Sequence, residues 1–270
     1  MVLTLPQGAS LTETGVNGEW AAVKYNDKTG YVKAQYLKDA SAAPAAAEIT
    51  GPSAPVTITR TGGHVVCIDP GHQGKGDSKT EPNGPGSSTM KARVAGGTRG
   101  TTTGIPEYQL TLAVGQLLKN ELTARGYTVY MTRESNDVNI SNAERAQLAT
   151  NTGSEISVRL HANGASNAGT NGALCLAPSA KNPYVANLAA PSQLLSSKVL
   201  SSYCAATGMA NKGVQANDTM TGINWCTVPV TIIEMGFMTN PSDDTNMANP
   251  AFQAKMAKGI ADGIDAYFAK

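Results

Sequence analysis

Downstream of residue 64 the hydrophobic period switches repeatedly between two and 3.6 residues, and that order admits few folds. Residues 65–69 (Val-Val-Cys-Ile-Asp) form an apolar run of strand length. Residues 106–125 carry Leu110, Val114, Leu117, Leu118 and Leu122 on one helical face, with Gly126 in the C-terminal stop position. Residues 127–132 return to strand character, and Ser141-Asn142-Ala143-Glu144 is a capping box that opens a short helix. Strands are predicted at 156–160, 173–176 and 228–233, with a helix over 190–206 between the last two. Asn249-Pro250 starts a final helix with a stripe through Phe252, Met256, Ile260, Ile264 and Tyr267. Strands alternating with helices predict an α/β fold: a three-layer domain with a largely parallel, twisted sheet flanked by helices.

Composition changes abruptly before that domain. The Ala/Pro-rich tract from Ala40 to Pro55 reads as a semi-extended linker. This divides the chain into residues 1–40, a linker at 41–63, and a domain at 64–270. Upstream, Glu19–Tyr25 alternates like a half-buried strand, 26–30 supplies turn chemistry, and Tyr31-Val32-Lys33 resumes the strand. Trp20, Gly30-Tyr31-Val32 and Tyr36-Leu37 resemble the second half of a bacterial SH3-like cell-wall-binding module. About 40 residues rarely fold unaided. The segment is therefore expected to be a truncated β barrel that docks on the larger domain or self-associates with a second copy.

The formal charge is +1, from 21 basic and 20 acidic side chains, and no basic run occurs. Nucleic acid is therefore not an expected partner. No apolar stretch reaches the roughly 20 residues that span a bilayer. The opening eight residues lack the charged start and apolar core of a signal peptide. The four cysteines form no Cys-x-x-Cys pair. Cys67 and Cys175 are expected to pack as small hydrophobes, and a Cys204–Cys226 disulfide is left open. Residues 73–105 are glycine-rich and without helical or strand period, and so are expected to form a long functional loop.

The chemistry gathers where the strands end. His72 and His161 each stand where an apolar strand pattern gives way to small residues. Open α/β sheets bind ligands at the carboxyl ends of their strands. Glu107 opens the helix after the long loop, and Glu234 follows Val230-Thr231-Ile232-Ile233. A carboxylate after such a run is costly to desolvate and needs a partner or a task. Two histidines and one glutamate match a catalytic zinc set with an open fourth position. Singly, each residue has an ordinary structural explanation; Glu107, for one, favours a helix N-terminus through the macrodipole.

Separate motifs in one order then point to a family. Ile68-Asp69-Pro70-Gly71-His72, Glu107, Met131-Thr132-Arg133, Ala143-Glu144-Arg145, Leu160-His161-Ala162-Asn163 and Glu234–Asn240 together resemble a zinc-dependent N-acetylmuramoyl-L-alanine amidase. The glycine-rich loop and Thr219–Trp225 are similar to the clostridial-type branch. The resemblance implies that His72, Glu107 and His161 hold zinc and that Glu234 is the catalytic acid/base. It implies peptidoglycan as the partner, hydrolysis of the lactyl–L-alanine amide, and a secreted or wall-located protein. Asn163, Thr239, Asn240 and Trp225 are candidate substrate contacts, Trp225 equally a packing residue. Arg159 departs from the small polar residue that many relatives carry; it is a candidate substrate contact or a buried ion-pair partner. Arg133 and Arg145 read as structural. The rival activities are a zinc carboxypeptidase on stem peptides and a non-catalytic wall-binding protein.

Overall fold

The computed structural model describes residues 63–269 together with three N-terminal strands, and the chain divides into two units, Met1–Ile58 and Thr59–Lys270. In the first, β1 (Thr12–Asn17), β2 (Trp20–Tyr25) and β3 (Lys28–Lys33) form an antiparallel sheet in the order β1-β2-β3. Tyr36-Leu37 and nearly all of the expected linker lie outside the described residues.

The second unit is built on a six-stranded sheet. Its strands are β4 (Val65–Pro70), β7 (Thr128–Met131), β8 (Ile156–Asn163), β9 (Ala173–Ala177), β10 (Asn211–Ala216) and β11 (Val230–Phe237). A separate hairpin joins β5 (Asp77–Pro82) to β6 (Met90–Val94). The sheet order is β10-β9-β11-β8-β4-β7, with β11, β8, β4 and β7 parallel and β9 antiparallel to β11. Helices α1 (Glu107–Ala124), α3 (Ala189–Thr207) and α6 (Pro250–Phe268) cover one face. On the other lie α2 (Asn142–Asn151) and the single turn α4 (Thr221–Asn224), while α5 (Pro241–Ala248) follows β11. This is the expected α/β fold, three layers around a mostly parallel sheet.

Central strands are apolar on both sides because helices cover both. In β11, Ile233 and Met235 join the core under α1, α3 and α6, whereas Val230 and Ile232 join the core on the opposite face. In β8, Ile156, Val158 and Leu160 take the first face. Period two then turns Arg159, His161 and Glu234 toward the second face, where helical cover is shorter.

Two expectations need correction and one open question closes. Residues 73–105 are not free of strands, since β5 and β6 lie within them. Their side chains are mostly polar and largely exposed, so no apolar alternation betrays them. Strands β8 and β11 run past their expected ends to Asn163 and Phe237, so His161 and Glu234 stand within strands rather than after them. All four cysteines are free, so Cys204 and Cys226 form no disulfide.

Candidate metal centre and cavity

Register brings the site together. In the parallel pairing of β11 with β8, Glu234 lies beside His161 and Ile232 beside Arg159; in that of β4 with β8, Asp69 lies beside Arg159. The β11–β8 register shifts between Glu234 and Phe237, a bulge of the kind that re-aims side chains near active sites. Gly71 follows β4, and a Cβ there would overlap the imidazole of His161, so glycine at this turn makes room for the ring. His72 then adopts a left-handed backbone, φ 60°, a strained conformation that must be held by its surroundings.

Two buried arginines hold it. Arg133 donates to the Pro70 and Gly71 carbonyls at 2.8 and 3.0 Å. Arg145 donates to the Pro70 and His72 carbonyls, both at 2.9 Å, and to Asp69 Oδ1 at 2.8 Å. Asp69 also takes Arg159 Nε at 2.7 Å and the Thr132 hydroxyl at 2.5 Å. Burial pushes the Asp69 carboxyl up, but the Arg159 and Arg145 charges outweigh it and hold the pKa far below the usual carboxylate range. Arg159 is thus a buried ion-pair partner, as one of its two readings expected.

His72, Glu107 and His161 meet on this turn. His72 Nε2, His161 Nδ1 and Glu107 Oε1 stand 3.1 Å from one another. Glu107 is the first residue of α1 and 2 % exposed. Its carboxylate also accepts from the Thr98 amide at 2.7 Å, the Thr98 hydroxyl at 2.9 Å and the Ala162 amide at 3.0 Å. Burial opposes its ionisation, yet His161 and His72 win and keep it a carboxylate well below the usual range. Burial pushes both imidazoles down; bonding to Glu107 leaves His72 raised, whereas burial prevails at His161 and leaves it lowered. Glu234 is half-buried, and burial followed by the Glu107 charge lifts its pKa to about 8.

These four residues line a cavity of about 680 Å³, with Asn163 and Arg159 beside them. Strand β6 and the residues that follow it form one wall, and Lys91 Nζ donates across to the Thr219 carbonyl at 2.5 Å. Thr239, Asn240 and Trp225 do not line this cavity. The Thr239 hydroxyl accepts from the Ala165 amide, and Asn240 caps α5 through Ser242 and Asp243. Trp225 Nε1 donates to the Pro82 carbonyl, and its ring packs on the second core. Asp69 and Thr98 were not singled out from the sequence. Asp69 carries the signal that exposed Glu234, a carboxylate closing an apolar run; Thr98 carries none.

The family model described as Amidase_3, N-acetylmuramoyl-L-alanine amidase, matches residues 66–266, most of the chain. The chain belongs to this family. The N-acetylmuramoyl-L-alanine amidase Rv3717 of Mycobacterium tuberculosis is 28% identical over 235 residues, covering 80% of this chain and 91% of that protein. The crystal structure of the amidase Ami1 from Mycobacterium smegmatis superposes with a TM-score of 0.70 at 26% identity, covering 77% of this chain and 98% of that one. An amidase structure from Clostridium difficile 630 gives 0.64 at 25% identity, over 78% and 99%. The matched region holds the whole cluster described above, so this amidase carries its candidate metal ligands inside the family's own domain.

Proposed function

We propose that the protein is a zinc-dependent N-acetylmuramoyl-L-alanine amidase. It cleaves the amide between the lactyl group of N-acetylmuramic acid and L-alanine of the peptidoglycan stem peptide, and it acts at the cell wall. The triangle of His72, His161 and Glu107 beside half-buried Glu234 carries this reading.

The donor set fits zinc. A carbonyl can only accept, so the 2.8 Å contact to Ala95 O puts a proton on His72 Nδ1. In its neutral form the ring would aim the Nε2 lone pair at a carboxylate oxygen and a second imidazole nitrogen, an arrangement that calls for a cation between them. Tetrahedral ligands about 2.0 Å from zinc stand about 3.3 Å from one another, close to the observed spacing. His72, Glu107 and His161 would hold the zinc, which would supply Lewis acidity for an attacking water and for charge developing on the carbonyl oxygen.

The protein's own residues do the rest. Glu234 shares the sheet face of His161 and takes the proton as water attacks. With a pKa near the working pH it can also return that proton to the departing alanine nitrogen. That return matters because an amide anion is a poor leaving group. The buried Asp69, Arg133 and Arg145 network holds the His72 turn, and Asn163 at the cavity wall contacts the wall fragment. Residues 1–40 serve as a wall-binding module joined through a linker at 41–63.

Product analysis on purified cell wall tests the reading. Intact sugar chains with newly freed L-alanine amino termini, dependent on zinc, are expected. Release of C-terminal residues from the stem peptide would instead indicate a carboxypeptidase and overturn it.

A further inference from the structure

We propose that Arg159 forms a carboxylate-binding subsite in the same cavity. The enzyme would thereby favour stem peptides with a free carboxylate on the residue after the scissile L-alanine. The proposal rests on the amidase reading above and deepens it to a substrate class.

Arg159 is 3 % exposed, yet its guanidinium is not saturated. Nε is spent on Asp69, and Nη2 donates to Asn142 Oδ1 at 3.2 Å. Among the described residues none accepts from Nη1. Asp69 is shared with Arg145, so one carboxylate stands between two guanidiniums and positive charge is left over. An incompletely countered charge in a protein interior is costly. Here the missing partner has a route in, because Arg159 lines the cavity. Gly222 lines it too, and a Cβ at Gly222 would overlap Nη1, so glycine at this position leaves room for that end of the side chain.

The placement suits an extended peptide. Arg159 and His161 share a face of β8 one two-residue repeat apart, about 6.6 Å. A peptide bound with its scissile carbonyl at the histidine cluster places the carboxylate of the residue beyond alanine at a similar distance, since an extended chain has the same repeat. Glu107 and Glu234 repel an anion, and the permanently cationic side chains lining the cavity are Arg159 and Lys91. Lys91 gives one N–H to the Thr219 carbonyl and is a point charge on a flexible stem, whereas the planar Arg159 guanidinium is held in place by Asp69 and Asn142. A carboxylate offers the guanidinium a countercharge and two acceptor oxygens, whereas a carboxamide offers one acceptor oxygen, no charge, and an NH2 group that cannot accept.

The test compares N-acetylmuramoyl-L-alanyl-D-isoglutamate, with its free α-carboxylate, and the isoglutamine counterpart. Wild-type kcat/KM should favour the carboxylate by about tenfold or more. Arg159→Gln should bring the ratio close to one, and Arg159→Lys should restore part of it. Because Arg159 is buried, calorimetric affinities are also measured on Glu234→Gln, which leaves position 159 intact; the same preference is expected in Kd. Equal kcat/KM and equal affinity for the two ligands, or a ratio unchanged in Arg159→Gln, would overturn the subsite. Should neither ligand be hydrolysed while the carboxylate form still binds more tightly, the amidase reading falls and the subsite stands.

Discussion

Two glutamates share one cavity, and their surroundings drive their acidities apart. Glu107 accepts from two backbone amides and a hydroxyl and lies against the histidine pair, so it stays a carboxylate. Glu234 is reached by no such donor among the described residues, and burial followed by the Glu107 charge lifts its pKa to about 8. The division suits one glutamate for ligation and the other for moving protons. Glu234→Gln should therefore lower turnover at least about a hundredfold and keep zinc, whereas His161→Ala should lose both. Metal analysis beside wall-hydrolysis rates decides this, and a Glu234→Gln enzyme of near-normal rate would remove that role. The same shift makes a pH prediction for the metal-free protein. A carboxyl with a raised folded pKa binds its proton more tightly when folded. Its contribution to stability is complete below the unfolded value of about 4.3 and is lost as pH rises through about 8, at no more than about 1.4 kcal/mol per pH unit. Denaturant midpoints of metal-free wild type should fall across this window, and those of Glu234→Gln should fall less.

At the level of elements, what could be read in advance depended on which faces are buried. Helix α1 kept its Leu110, Val114, Leu118 and Leu122 stripe, and α2 its capping box, because each buries one regular face. The hairpin β5–β6 and edge strand β10 escaped notice because their side chains are largely exposed and follow no apolar alternation. Helix α5 escaped because it is short and its buried residues include two aspartates. Those aspartates tie the site to the scaffold. Asp243 accepts from the Phe237 amide at 3.0 Å, in the bulge beyond Glu234, and from the Gly172 amide at 2.9 Å. Asp244 accepts from the Thr102 and Thr103 amides, both at 2.8 Å, and from the Thr103 hydroxyl at 2.7 Å, bracing the loop that leads to Glu107. Asp244→Ala strands three donors and should cost about 2–3 kcal/mol in urea unfolding. Weaker zinc affinity should accompany that loss, since the loop also carries the Thr98 contacts to Glu107. An unchanged midpoint would show that the loop is held by other means.

Across the whole molecule, the two units make separable predictions. Residues 59–270 contain the complete cluster and its supporting cores, so removal of residues 1–58 should preserve hydrolysis of soluble muramoyl peptides. The same removal should reduce co-sedimentation with purified walls; undiminished co-sedimentation would refute the wall-binding role. Metal linkage reaches further, because the three candidate ligands come from the turn after β4, the start of α1 and the end of β8. An unfolded chain cannot present that trio, so zinc bound there would add directly to folding free energy. At free zinc about a hundredfold above its dissociation constant, the gain is about 2.7 kcal/mol. For a unit of this size that corresponds to a rise in melting temperature of about 5–10 °C. A chelator should reverse the rise, and His161→Ala should show none of it. If wild type melted at the same temperature with zinc and with chelator, the three side chains would not be a zinc site. The cavity would then have to be explained without its central ion.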